Sequence, residues 1–422
     1  MSATIARFIA IPVRQGDAFY LQTPFGSVLV DGGRAISGFA NLFTRTTRAK
    51  RVDIVICTHN DADHANGVIG FLEAGLECRE VWLPGRWLGV LPYVLNPTSE
   101  VVEALAEQAR KAAPALQERF RQAPDIRTLF EIYGDFMLEE PFGYEESSPP
   151  PPNPRPVEVT DGWPADLEED LERALQGGWE ELWWPWGRLL WMPYRWLEPL
   201  DYWAWRRAWH IWWDACQDPI ARALFLGALE AAERIRRIAV TAYQLGVAVR
   251  WFEYTASRPA GGTRWLRPFN GREVLYVRLV PIDMLLRLLA LTTANRESLV
   301  FWADLDDCPG VLFTADSDLR AVPQLPNLSG AIITAPHHGA EANANAYSEV
   351  SKHLGGSQAD ITWVRSDGRF RKRPGQSYLS APGFRFCTIC RTRDPQPKQA
   401  VRLSMQQKRW VPEQGVRPCS CR

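Results

Sequence analysis

The stretch Thr58-His59-Asn60-Asp61-Ala62-Asp63-His64 places two imidazoles and two carboxylates within six residues. Side chains of these types bind divalent metals. Zinc takes imidazole nitrogen and carboxylate oxygen at about 2.0 to 2.2 Å, and an ion held this way activates water for hydrolysis. The bland alternative is a solvated acidic turn that holds two of the chain's six histidines. The apolar run Val52-Asp53-Ile54-Val55-Ile56-Cys57 just before it reads as a buried strand. The cluster is therefore expected on the loop leaving a strand's carboxyl end, where open α/β sheets gather their ligands.

Three further runs of the same kind end in chemistry-bearing residues. Ser27-Val28-Leu29-Val30-Asp31 ends in an acid followed by Gly32-Gly33, Val311-Leu312-Phe313-Thr314-Ala315-Asp316 ends in another, and Ala331 to Ala335 leads into Pro336-His337-His338-Gly339. The glycine pair permits a tight turn.

The order Asp-Gly-Gly, His-x-Asp-x-Asp-His, Thr-x-Asp, Pro-His-His-Gly resembles the metallo-β-lactamase fold. Gln15-Gly16-Asp17-Ala18 and Asn295-Arg296-Glu297-Ser298-Leu299-Val300 add to the likeness. It is similar above all to the branch found in the C-terminal domain of ComEC-type DNA-uptake proteins and in phosphorylcholine esterases. The resemblance covers roughly residues 5 to 87 and 236 to 385. It implies an α/β (α+β) four-layer αββα sandwich with a metal site at one edge, and hydrolysis by metal-activated water.

Carried over residue by residue, the resemblance implies that His59 and Asp61 serve one metal, that Asp63 and His64 serve the other, and that Asp316 bridges them. His338 is the implied ligand of the His-His pair, and His337 the substrate-facing or proton-handling residue, though the two can exchange roles. Asp63 or His337 would move the proton. Asp31 would orient a ligand histidine, unless it only caps the Gly32-Gly33 turn.

Two departures from the wider family matter. The commonest form has His where Asp61 stands, so this site is harder and richer in oxygen, and Mn2+ competes with Zn2+. The family's middle histidine has no obvious counterpart, since the only histidine between His64 and His337 is His210, read as a core or rim residue. One or two ions, or a scaffold with a degenerate site, all remain open at this point.

The elements that must position these residues follow from length and pattern. A chain of 422 residues with 46% hydrophobic and 23% charged content describes a globular protein of about two to three domains. Short strands are expected at 5–13, 18–22, 27–30 and 52–57, a helix over 68–73, and a strand over 80–84. Residues 1–87 and 236–385 read as two parts of one metallo-β-lactamase core. Residues 88–235 read as an inserted subdomain, and 386–422 as a basic extension. No run of eighteen uncharged apolar residues exists and 1–7 lacks a long apolar leader, so a cytoplasmic protein without a transmembrane segment is expected.

The insert begins with a helical pattern over 97–120, passes through the proline-rich run 147–156, and continues into 163–213, which carries twelve of the nineteen tryptophans. That density fits an aromatic-cored helical subdomain, a lid or protein-partner surface, or a membrane-surface element. Prolines 185, 193 and 199 exclude a spanning helix.

A net charge of -1 conceals a division. Residues 131–181 hold fifteen acids against two arginines, and residues 365–422 hold fourteen basic residues against three acids. Arg369, Arg371, Lys372 and Arg373 are candidate substrate-binding residues, because such a run neutralises phosphates; a solvated charged face is the alternative. With the resemblance and with aromatic rings able to stack on bases, they favour a DNA or RNA nuclease. Resemblance to components of bacterial antiviral defence adds an effector whose insert docks a protein partner. A hydrolase of small esters, lactones or phosphodiesters is the other enzymatic reading.

Among eight cysteines, Cys57, Cys78, Cys216 and Cys308 read as ordinary buried thiols. Cys387-Thr388-Ile389-Cys390 and Cys419-Ser420-Cys421 pair differently. They fit a structural zinc site, free thiols or disulfides.

Overall fold

Alternating burial along the central strands decides the architecture. In the strand β4 (Arg51–Ile56), Ile54 and Ile56 face one core and Val55 the opposite one. The same alternation separates Val28 and Val30 from Leu29 in β3 (Gly26–Val30). Strands apolar on both faces need cover on both faces. Here the cover is a second sheet on one side and helices on the other.

The computed structural model describes residues 6–96, 98–122, 217–275, 284–293, 297–322, 324–354, 360–366, 373–389 and 399–421. The proline-rich run, the acidic run, the tryptophan-rich segment with His210, and Cys216, Arg369, Arg371, Lys372 and Cys390 lie outside the described residues.

The larger sheet contains β1 (Arg7–Ala10), β2 (Phe19–Thr23), β3, β4, β5 (Glu77–Pro84), β6 (Ala248–Tyr254) and β8 (Gly271–Val274), joined at the β1 edge by β14 (Val401–Gln406) and β15 (Arg409–Pro412). The smaller sheet has the order β13 (Phe384–Cys387), β12 (Thr362–Arg365), β11 (Ile332–Thr334), β10 (Cys308–Phe313), β9 (Phe301–Leu305), β7 (Leu266–Pro268). The runs β3 to β6 and β10 to β13 are parallel. Between the sheets lies an aromatic core of Phe8, Phe19, Trp82, Phe252, Phe301 and Phe313. Residues 401–412 complete the larger sheet, with Arg7 opposite Ser404 and Ala10 opposite Val401.

Helices α1 (Phe39–Thr47), α2 (Ala62–Glu73), α4 (Thr98–Gln122) and α5 (Pro219–Gln244) supply apolar side chains to the core on the outer face of the larger sheet. Between α2 and α4 lies the one-turn α3 (Leu91–Val94). In α5, Asp218 caps the start by accepting from Ile220 N at 2.8 Å, and Pro219 occupies the first turn, where its missing N–H costs nothing. Its Leu224, Ala228, Ala231, Ile235, Ile238 and Ala242 form one buried stripe. This helix runs through residue 235 without a break. The outer face of the smaller sheet is covered by α7 (Ala344–His353) and α8 (Gln376–Ser380), which follow the short α6 (Met284–Thr293). The result is the αββα sandwich of the metallo-β-lactamase fold. No helix among the described residues is long and apolar enough to cross a membrane.

One element starts earlier than its hydrophobic pattern suggests. Helix α2 begins at Ala62, not Val68, because Asp61 sits in extended conformation and its carbonyl accepts from His64 N at 3.0 Å and Ala65 N at 2.8 Å. Asp63 and His64 therefore ride on a helical first turn rather than on the loop.

Candidate metal centre

Most of the chemistry-bearing residues lie just past the carboxyl end of a strand in a parallel run. Asp31 follows β3, His59 follows β4, Asp316 follows β10, and His337 and His338 follow β11. The two sheets thus bring four strand ends to one edge. Close packing of backbone makes this possible. A Cβ on Gly67 of α2 would stand 1.9 Å from Gly32 O, so only paired glycines let the helix approach the β3 turn. Gly16, at φ +93, approaches Asp63 O in the same way and brings Asp17 N within 3.1 Å of it.

Asp316 is the centre of the cluster, and its two oxygens face different groups. Oδ2 lies 3.8 Å from His59 Nε2 and 3.5 Å from His337 Nε2, while Asp61 Oδ2 is 3.9 Å from His59 Nε2. Oδ1 lies 3.2 Å from His64 Nε2 and 3.8 Å from His338 Nε2, and Asp63 Oδ2 stands 3.5 Å from His338 Nε2. Spacings of 3 to 4 Å between donors are those of groups sharing an ion held at about 2 Å from each.

All four imidazoles are held at Nδ1, which leaves Nε2 turned inward. His64 Nδ1 donates to Asp31 Oδ2 at 2.8 Å, His338 Nδ1 to Asp17 Oδ1 at 2.9 Å, and His337 Nδ1 to Asn343 Oδ1 at 2.9 Å. His59 Nδ1 lies 3.0 Å from Thr58 Oγ1, which itself donates to Asp31 Oδ2 at 2.8 Å. Such outer hydrogen bonds fix tautomer and ring direction for metal ligation. Buried and without a hydrogen-bond partner are His59 Nε2, His64 Nε2, His338 Nε2 and Asp316 Oδ1. Unpaired polar atoms in a dry interior cost about 1–3 kcal/mol each, and cations placed in the two groups would satisfy them. The residues fit a metal.

Protonation in the metal-free centre follows burial and charge. Burial pushes His59 down to about 3 and His337 down to about 4. Burial also opposes charge on His338, yet Asp17 and then Asp316 outweigh it and lift it to about 10. His64 is raised as well, by Asp316 and Asp31 against burial. Burial, then the charges of Asp63 and Asp316, raise Asp61 to about 7. The raised His338 and His64 thus carry positive charge beside Asp316 when no cation is bound.

The turn carrying the His pair is strained. His337 and His338 sit at φ 47 and 55, and Asp31 and Ala315 at φ 58 and 46. Left-handed backbone costs roughly 1–2 kcal/mol for each non-glycine residue. It is held here by His337 N donating to Ala315 O and by Asn343 Nδ2 donating to Asp316 O.

The structure therefore brings together His59, Asp61, Asp63, His64, Asp316, His337 and His338, with Asp31 bonded to His64 instead of acting on the Gly32-Gly33 turn alone. Arg373, read from the sequence as part of a basic run, is buried, and its charge contributes to lowering His337. Three residues carry parts the sequence did not assign. Asp17 orients His338, Asn343 ties His337 to the Asp316 backbone, and Arg234 donates to Asn60 O at 2.7 Å, fastening the ligand loop to α5. Only Asp17 had a signal, in the Gly16-Asp17 pair.

The Asp31 bond has a measurable consequence. Asp31→Asn keeps the shape but loses the charge that holds His64, and metal affinity falls about 10- to 100-fold in a metal titration of the folded variant. Unchanged affinity would reduce Asp31 to a turn cap.

No curated protein matches the chain. Residues 11–76, the segment running from just after β1 through the His-x-Asp-x-Asp-His loop and α2, match the family model described as the metallo-beta-lactamase superfamily, in agreement with the sandwich around them.

Proposed function

We propose that the chain is a metal-dependent phosphodiesterase acting on DNA or RNA. The observation that carries the reading is the divided Asp316 carboxylate, with one set of donors gathered at each oxygen. Two such sets suit a pair of Zn2+ ions, with Mn2+ admitted by the three aspartates. When bound, the ions supply Lewis acidity toward a phosphoryl oxygen and a water of lowered pKa.

The chain's own residues divide the remaining work. His59, Asp61 and His337 hold one side, and Asp63, His64 and His338 the other. His337, reaching in from the smaller sheet, takes the place of the missing middle histidine. Asp61 and Asp63 are the most open of the group, at 22% and 17% side-chain exposure, so they face the substrate. Asp63 is the carboxylate placed to take a proton from the attacking water. Arg373, near His337, offers a cation to a phosphate, and the basic residues after 365 would concentrate a polyanion there. The tryptophan-rich segment, by its composition, is assigned to a protein partner, as in an effector of bacterial antiviral defence.

The test is cleavage of labelled single- and double-stranded DNA and RNA with added Zn2+ or Mn2+, comparing wild type with Asp63→Ala/His64→Ala. Metal-dependent cutting that vanishes in the variant is expected. Turnover of bis-p-nitrophenyl phosphate or small esters without any cutting would move the assignment to a small-substrate hydrolase.

A further inference from the structure

We propose that Cys387, Cys419 and Cys421 together bind a zinc-class divalent cation whose thiolate shell is the counter-charge of the buried Arg365 and fixes that arginine beneath the His337-His338 turn. The site is separate from the centre built around Asp316.

Three observations converge on it. The first is the thiols' placement: the three sulfurs lie within 4.8 Å of one another, with Cys387 and Cys421 buried and Cys419 half-buried. Zinc holds sulfur at about 2.3 Å, which in a tetrahedron sets sulfur atoms about 3.8 Å apart. None of the three is joined in a disulfide. The second is backbone: the tail is already pinned where the sulfurs need it. Pro418 bridges Phe386, Cys419 N donates to Arg385 O at 2.7 Å, and Gln399 Nε2 donates to both Cys387 O and Arg417 O.

The third is Arg365, 0% exposed at the end of β12. Its Nη2 reaches Ile389 O at 2.9 Å and Cys421 Sγ at 3.6 Å, while Nε and Nη1 have no hydrogen-bond partner. The described residues give it no carboxylate ion pair. An uncompensated guanidinium in the interior is expensive, and neutral thiols do not compensate it. Three thiolates around a divalent cation carry a net charge of about -1, because the thiols shed three protons on ligation. Added to the guanidinium, that makes the pocket neutral.

Arg365 links this pocket to the reaction centre. A Cβ on Gly339 would stand 3.1 Å from Arg365 Cδ and 3.4 Å from the Tyr378 ring, so Arg365 lies directly under the Pro-His-His-Gly turn. The neighbouring β11 leads into that turn, and Ala335 N donates to Val364 O next to Arg365. A metal on the cysteines therefore braces the strained backbone that presents His337 and His338.

Cobalt substitution tests the site without relying on catalysis. Protein purified under reducing conditions and loaded with Co2+ is expected to show the intense near-ultraviolet thiolate-to-cobalt absorption, which imidazole and carboxylate ligands do not give. The band should persist in Asp316→Asn and be lost in Cys419→Ser/Cys421→Ser, together with one equivalent of bound metal. A folded, cobalt-loaded wild type lacking the band overturns the proposal, as does a disulfide between any two of the three cysteines. The wild-type spectrum decides the question even where a variant fails to fold.

Discussion

Asp316→Asn empties the metal centre and abolishes turnover. Both of its oxygens are engaged, one toward His59 and His337 and the other toward His64 and His338, at 3.2 to 3.8 Å. An amide keeps the volume but offers one neutral oxygen where two charged ones stood. Metal analysis of the folded variant is expected to find the Asp316 centre empty, and phosphodiester turnover to fall roughly 10³-fold or more, at or beyond the scale for losing one preorganised electrostatic group. His64 and His338 also lose the counter-charge that raises their proton affinity, so both titrate lower in the metal-free variant. A variant that retains two ions and wild-type turnover would remove Asp316 from the shared position.

Metal uptake depends steeply on pH, and the sign follows from the metal-free protonation states. His338, lifted to about 10, and His64, also raised, are imidazolium at neutral pH and must shed their protons to offer Nε2. As long as both imidazoles carry their protons, two protons released per ion bound make affinity rise about 100-fold per pH unit for the Asp63, His64 and His338 position. The opposite position behaves differently. His59 at about 3 and His337 at about 4 are already neutral, and only Asp61, near 7, still gives up a proton. Its affinity rises at most about tenfold per unit and levels off above pH 7.

The metal-free fold responds in the reverse direction. The raised His338 stabilises it fully below pH ~6.5, and that contribution is lost as pH rises through about 10. Calorimetry in buffers of different ionisation enthalpy counts the protons. A release below one proton at the Asp63, His64 and His338 position would show that His64 and His338 do not shed protons to metal.

The assembly of the site was only partly legible in sequence. Ligands clustered within a few residues at strand ends announced themselves, because apolar runs followed by His or Asp are local patterns. Asp17 showed only as part of the Gly16-Asp17 pair, and its bond to His338 was hidden, since the two meet across 321 residues of chain. Asn343 is an ordinary residue until the turn at Pro336–Gly339 delivers His337 to it. Of the basic run, Arg373 is buried near His337, which sets aside the solvated-face alternative for that residue. The early start of α2 was hidden because Asp61, Asp63 and His64 carry no hydrophobic period.

The sequence by itself determined the donor types, their order along the chain and the apolar runs that carry them, because these depend on side-chain chemistry and local pattern, and the sandwich was legible only through the family resemblance those motifs carry. Tertiary structure alone decided which oxygen of Asp316 faces which histidines, that His337 Nε2 comes within 3.5 Å of Asp316 Oδ2, and that strands at 401–412 close the sheet beside β1. Those outcomes rest on contacts between distant segments and on left-handed backbone at His337 and His338, which only the packed protein can hold in place.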